Sequence, residues 1–296
     1  MAIRLPSRGV LAASVVTHVL GRLGLARLAG VAGLTDRARA RWLAAHPFPA
    51  GLVDVDMDGV RLRVPGGLAA AYVDRRFDPL TIRQLRRFLR PGMSVVDVGA
   101  HIGFYSVLAA ECVGDDGHVV AIEPAEENVA LLRENVARFG SVVQVAPVAA
   151  GATPAVRDFV LTDSSDTHGF YGSPLQAAVQ TVRVEQQPLD TLVEGPVDLL
   201  KVDVEGAEPE VLTGATRLLA ENRRLAVLLE WNPACLLRGG HDPALLPAAL
   251  EGQGFGLEAI DEFAGRRRSF AEVAAWVAAG EVPEWWFCNL WALRRG

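Results

Sequence analysis

The stretch Val95-Val96-Asp97-Val98-Gly99-Ala100-His101-Ile102-Gly103 decides how the rest of the chain is read. The β-branched run from Ser94 to Val98 predicts a short buried strand, and Gly103 to Cys112 predicts a helix after it. Between them lies Asp-x-Gly-x-x-x-Gly. In open α/β sheets a ligand sits at the carboxyl ends of the strands, so this turn is a candidate binding loop. Gly99 and Gly103 permit a tight turn and a close backbone approach to a ligand. The helix that opens near Gly103 aims its free N–H groups the same way. The loop does not fit the Gly-x-Gly-x-x-Gly pattern of a dinucleotide site. Asp97, two residues before the first glycine, would also repel a pyrophosphate; it suits a cationic ligand group instead.

The next strand, His118 to Glu123, ends in Glu123-Pro124. A carboxylate at that tip can accept both hydroxyls of an adenosine ribose. Nicotinamide and methyl-donor sites share such an acid. Together with Asp97 and the missing glycine spacing, it favours S-adenosylmethionine, which carries a methionine amine and a positive sulfur. The cosubstrate set is therefore Asp97, Gly99, Ala100, His101, Gly103, Phe104, Tyr105, Glu123, Pro124 and Asn128. The plainer alternative is a parallel-sheet domain whose glycines serve only as turns.

Strand–helix alternation continues outward. A helix is expected over 126–139, strands over 142–145, 156–161, 181–184, 197–204 and 225–231, and a helix over 209–219. Units of this length imply an α/β fold, a Rossmann-like, mostly parallel sheet covered on both faces. Strands over 255–260 and 286–293 fit an antiparallel hairpin at a sheet edge. Upstream, Val53, Val55, Met57, Val60, Leu62 and Val64 alternate around Asp58-Gly59, a hairpin signal. A helix over 79–89 follows. The expected organisation is a basic helical extension over 1–50, a hairpin with its helix over 51–92, and a catalytic domain over 93–296.

Composition narrows the function. Half the residues are hydrophobic and 22% charged, which excludes a wholly disordered chain. Three distant cysteines exclude a disulfide scaffold and fit a reducing, cytoplasmic setting. The net charge of −6 argues against nucleic acid as a partner. Seven arginines and one acid make residues 1–45 basic, suggesting a helix packed on the main domain, a peripheral membrane contact or a homo-oligomer contact. Lys201 is the only lysine in the chain.

Methyl transfer to a hydroxyl needs an in-line approach to the methyl carbon and a group that takes the hydroxyl proton. In Lys201-Val202-Asp203-Val204-Glu205, three charged residues alternate with valines and would share one strand face. For Lys201 a bracing ion pair competes with a functional role. Asp203, Glu205 and Glu230, at the ends of two strands, are candidate catalytic groups. The same three could hold a divalent cation, since hard oxygen ligands suit magnesium. Glu208 could simply complement a helix N-terminus. The polar loop 162–172 offers His168 as a general base, against the alternative of an ordinary surface histidine. Cys112 and the late tryptophans read as core.

Asp97 to Ser106, Val120 to Pro124 and, most specifically, Asp198 to Glu208 resemble the FkbM family of S-adenosylmethionine-dependent methyltransferases. The resemblance covers residues 75 to 235 and implies a seven-stranded class I methyltransferase sheet. It also implies O-methylation of sugars or polyketide hydroxyls. His101 stands where the family usually has Asn, and Asp78 where it usually has Glu. The expected function is an O-methyltransferase acting on a small-molecule hydroxyl of a sugar, glycosylated natural product or polyketide. The alternatives are a nicotinamide-dependent oxidoreductase and a non-catalytic methyltransferase-like binding protein. No Asn-Pro-Pro-Tyr tetrapeptide occurs to favour N-methylation.

Overall fold

The computed structural model describes residues 51–294 except 58, 67, 70–77, 173–175 and 284. The extension expected over 1–50, with its membrane or partner contact, lies outside the described residues, as does Asp58. The chain forms two compact units, Met1–Leu80 with Glu262–Arg266, and Thr81–Asp261 with Arg267–Gly296. No helix among the described residues is long and apolar enough to cross a membrane.

In the first unit, β1 (Leu52–Met57) pairs antiparallel with β2 (Val60–Pro65), as the alternation predicts. Val53, Val55, Met57, Val60, Leu62 and Val64 are buried, and Arg63 pairs with Asp54 on the other face.

Helix α1 (Pro79–Phe88) leads into the second unit. Its Thr81 hydroxyl accepts from Asn289 Nδ2 at 3.1 Å, and Phe88 meets Trp291 edge-on at 5.2 Å. From Thr81 onward the helix lies in the α/β unit. The walk then runs β3 (Ser94–Val98), α2 (Phe104–Val113), β4 (His118–Ile122), α3 (Glu126–Val136) and β5 (Val143–Ala146). A 3-10 turn over Ala137–Val142 takes up the end of the longer helix expected there.

A small second sheet follows: β6 (Ala149–Ala150), β7 (Ala155–Thr162) and β8 (Ala178–Gln187), in the order β6-β8-β7. After α4 (Leu189–Leu192), β9 (Leu199–Val202) returns to the main sheet. The helix expected over 209–219 is two, α5 (Glu208–Thr213) and α6 (Thr216–Glu221). The Asp190 carboxylate explains the break: it accepts from Arg217 N at 2.7 Å and Leu218 N at 2.9 Å, which requires a fresh helix start there.

β10 (Ala226–Trp231), α7 (Pro233–Arg238), α8 (Leu245–Gly252), β11 (Phe255–Asp261), β12 (Arg266–Ser269), α9 (Phe270–Ala278) and β13 (Cys288–Arg294) complete the chain. The main sheet has eight strands in the order β12-β11-β13-β10-β9-β3-β4-β5. β10, β9, β3, β4 and β5 run parallel to one another, and β13 is antiparallel to both β10 and β11. The two late strands do pair antiparallel, but β13 inserts beside β10, so β12 holds the edge. The arginine-rich stretch between them supplies β12 and the apolar helix α9, whose Val273 is fully buried. Trp231, Trp276 and Trp286 join that core, with ring centroids 6.4 Å and 5.1 Å from Trp286.

Strand order reverses between β3 and β9. The crevice beyond their carboxyl ends is where a ligand of such a sheet sits, and Gly99 and Asp203 meet there. Gly99 has φ +76, and a Cβ on it would lie 1.8 Å from the Asp203 carbonyl oxygen, so no other residue fits this contact.

Candidate active site

One side of the crevice is built at the ends of β3 and β4. Asp97 is buried; its Oδ2 accepts from Ser106 Oγ at 2.6 Å, and its Oδ1 lies 3.3 Å from Lys201 Nζ. Its charge thus faces the protein's own ammonium, where the sequence suggested a ligand amine. Gly99 N and Ala100 N donate to Ile122 O, and His101 takes the left-handed φ of 49°, so the turn folds back over β4. Gly103 caps α2, and Phe104 and Tyr105 open that helix, both buried with rings edge-to-face at 5.3 Å.

The turn meets Glu123. Glu123 Oε2 accepts from His101 N at 3.0 Å, while Oε1 accepts from Ala125 N at 3.0 Å and Asn128 Nδ2 at 3.3 Å. Burial pushes the Glu123 carboxyl up, against these bonds and the backbone N–H groups that favour its charge. Each carboxylate oxygen can accept more than one donor, and Oε2 holds only His101 N, so capacity remains for hydroxyl donors. Glu123, His101 and Asn128 therefore fit an adenosine ribose, with Pro124 beside them in the chain.

The loop after β7 joins this side. Ser165 Oγ lies 2.9 Å from His101 Nε2, and Ser165 O accepts from Asn128 Nδ2 at 3.3 Å. Burial lowers the His101 ring to about 4, although Asp166 opposes it. His168 is buried too. Its Nδ1 accepts from Thr162 N at 3.1 Å, and its Nε2 lies 2.8 Å from Glu127 Oε1. Both ring nitrogens are engaged, so His168 acts as a strut between loop and α3. It lies outside the group formed by Asp203, Glu205 and Glu230. Ser165 and Glu127 carry no pattern that the sequence alone would single out.

The other side of the crevice, an acidic one, lies at the ends of β9 and β10. Asp203, Glu205 and Glu230 each bring a carboxylate oxygen within 4.8 Å of the others. The expected strand face holds only to Val202; Glu205 takes φ 55° and Gly206 φ 100°. A Cβ on Gly206 would meet the Cys235 carbonyl oxygen at 2.5 Å, so this turn is seated on α7. Glu208 Oε1 accepts from Val204 N at 3.0 Å and Gly206 N at 3.2 Å, clamping the turn as well as opening α5. Burial pushes Glu208 up to about 7. Glu205 accepts from Cys235 Sγ at 3.3 Å; burial first, and the Asp203 charge second, push it up to about 8. Cys235 was invisible to sequence reasoning, being read only as an isolated cysteine.

Lys201 stands between the two sides. Its Nζ donates to Gly99 O at 3.0 Å and lies 3.5 Å from Asp203 Oδ2. Burial works against its charge, but Asp97 and Asp203 outweigh it and hold the ammonium above its ordinary value. Nearby, Arg157 stacks on Phe170 at 3.9 Å and pairs with Glu210, which also accepts from the Tyr171 hydroxyl. Gly169 packs on Glu205, 3.1 Å from a built Cβ to the Glu205 Cβ. The loop thus borders both sides.

Residues 97–257, just over half the chain, match the methyltransferase FkbM domain. An arsenite methyltransferase of Halobacterium salinarum is 44% identical over 50 residues, 17% of this chain and 13% of that protein. The ribosomal RNA large subunit methyltransferase E of Alkalilimnicola ehrlichii is 36% identical over 83 residues, 28% of this chain and 34% of that protein. The chain thus spans about a third or less of the length of these curated relatives. Among solved structures, the FkbM methyltransferase of Methylobacillus flagellatus aligns with TM-score 0.43 at 15% identity, covering 76% of this chain and 60% of that one. The O-methyltransferase TomG of Streptomyces achromogenes, solved with S-adenosylmethionine, aligns with TM-score 0.42 at 16% identity, covering 73% and 78%.

Proposed function

The chain belongs to the FkbM methyltransferase family and uses S-adenosylmethionine, and from that premise we propose that it methylates a hydroxyl of a small molecule such as a sugar, glycosylated natural product or polyketide. The observation that carries this reading is the convergence of Asp203, Glu205 and Glu230 within 4.8 Å beside the Gly99 turn. Carboxylates so placed suit an acceptor rich in hydroxyls. The acceptor oxygen attacks the methyl carbon in line with sulfur; the carbon–sulfur bond breaks, and its electron pair stays on sulfur. The hydroxyl proton passes to a carboxylate, with Glu205 as the base and Asp203 and Glu230 orienting the acceptor.

Glu123, Asn128 and the His101 backbone hold the ribose, and the Gly99–Gly103 turn holds the methionine part. S-adenosylmethionine supplies the methyl group. Asp97 acts through Lys201 and the turn. A divalent cation on the three carboxylates is disfavoured by the Lys201 ammonium 3.5 Å from Asp203 and the Cys235 thiol on Glu205. Turnover is therefore expected to survive a chelator, and loss of activity that magnesium restores would reverse that point. The acidic charge balance supports a small-molecule acceptor over RNA, and a cytoplasmic setting matches the cosubstrate.

The test of the cosubstrate site is thermal unfolding with S-adenosylhomocysteine, with NAD as control. Ligand at 100 times its Kd adds about 2.7 kcal/mol, a rise of several degrees for a chain of this size. Glu123→Ala removes a charged acceptor worth about 1.5–3 kcal/mol of ribose binding, so affinity should fall at least about tenfold. A shift with NAD alone would return the reading to an oxidoreductase. A Glu123→Ala variant that binds like the wild type would remove the ribose assignment.

A further inference from the structure

Lys201 is the single lysine of a chain whose other 28 basic side chains are arginine. It is 5% exposed, and the three oxygens around its Nζ come from three segments. Asp97 Oδ1 on β3 is 3.3 Å away, Gly99 O in the turn 3.0 Å, and Asp203 Oδ2 after β9 3.5 Å. The Tyr105 ring, 5.2 Å away, closes the fourth side. One hydrogen bond, to Gly99 O, and two flanking carboxylates at ion-pair distance converge on a compact ammonium. A guanidinium instead presents a flat fork suited to two parallel acceptors.

Two of these three contacts face opposite halves of the site. Gly99 O belongs to the turn assigned above to the cosubstrate, and Asp203 to the carboxylates assigned to the acceptor. We propose that Lys201 is a positioning residue whose ammonium holds the Gly99 turn and the Asp203 carboxylate in one frame, so that occupancy of the cosubstrate turn is registered at the acceptor carboxylate. It touches neither the methyl group nor sulfur. This inference rests on the assignment of the Gly99 turn to the cosubstrate.

A single lysine makes the test direct. Labelling with ¹⁵N-lysine gives one side-chain ammonium signal by NMR, and burial slows its exchange. Saturating S-adenosylhomocysteine should move that signal. Asp203→Asn should move it without ligand, while leaving S-adenosylhomocysteine affinity within about twofold. Lys201→Arg keeps the charge but not the shape, and should weaken S-adenosylhomocysteine at least about tenfold. Lys201→Met would strand the buried Asp97 charge and endanger the fold, so the neutral pair Lys201→Met with Asp97→Asn is the second variant, with the same loss expected. An ion pair that only braces the sheet predicts a signal unmoved by ligand and a Lys201→Arg variant that binds normally; either result in a wild type that binds S-adenosylhomocysteine overturns the proposal. A wild type that does not bind it overturns the site assignment beneath, and the proposal with it.

Discussion

Glu205 is the residue whose environment is hardest to reconcile with a bracing role. Its backbone sits at φ 55°, a conformation that costs a non-glycine residue about 1 kcal/mol or more. Its carboxyl is pushed to about 8 by burial and by Asp203, with Glu208 and Asp166 adding in the same direction and the Cys235 thiol opposing them. A base must be deprotonated to accept the acceptor's proton. Activity should therefore rise with pH and level off above about 8. Glu205→Gln should lower kcat by about 10²–10⁴ and abolish that rising limb. Asp203→Asn should also cost turnover, with S-adenosylhomocysteine binding largely intact in both variants. A Glu205→Gln enzyme with normal turnover would move the base elsewhere. These residues were legible as carboxylates at strand ends. Their different roles were not, because proton affinity depends on burial and on neighbours from other strands.

Among the elements, α7 shows how a short helix can serve a site. It has six residues and begins at an Asn232 cap, whose Oδ1 accepts from Cys235 N at 3.2 Å. That cap fixes Cys235, which seats the Gly206 turn and donates to Glu205. Asn232→Ala should cost about 1 kcal/mol of stability, or about 2–4 °C in Tm, with an accompanying fall in kcat. Asn232→Asp should restore both, since aspartate caps equally well. A stability loss without change in kcat would separate α7 from the site. Element existence was readable from period and punctuation, as at β3, β4 and β10. Element ends were set by side chains distant in sequence. Asp190 splits the helix expected over 209–219, and the left-handed turn at Glu205 ends the strand expected to run to 204.

For the molecule as a whole, the buried acids impose a pH dependence on folding. Glu205 and Glu208 keep protons to about 8 and about 7, whereas both would lose them at 4.5 when unfolded. Above 4.5 the folded state therefore binds more protons, and stability falls as pH rises toward the folded values. His101 works the other way. Lowered to about 4 from 6.5, it adds stability as pH rises through that lower range. The two effects separate above 6.5, so stability should decline between about 6.5 and 8. Denaturant unfolding across that window checks this. The Glu205→Gln variant should show a shallower decline, and an equally steep one would clear Glu205 of the effect.

The amino-acid order by itself determined the strand–helix alternation, the glycine turn, the acids at strand tips and so the family and cosubstrate. Those features are local: they follow from period, from residue shape and from spacing within a single strand–turn–helix unit. Only the tertiary structure decided that β13 enters beside β10, that His168 is a strut, that Cys235 meets Glu205 and that Lys201 joins Asp97 to Asp203. Each of these brings together residues 30 or more positions apart in the chain. The energies that select them, burial and Coulomb attraction at 3 to 4 Å, exist only once the sheet has brought its strands together.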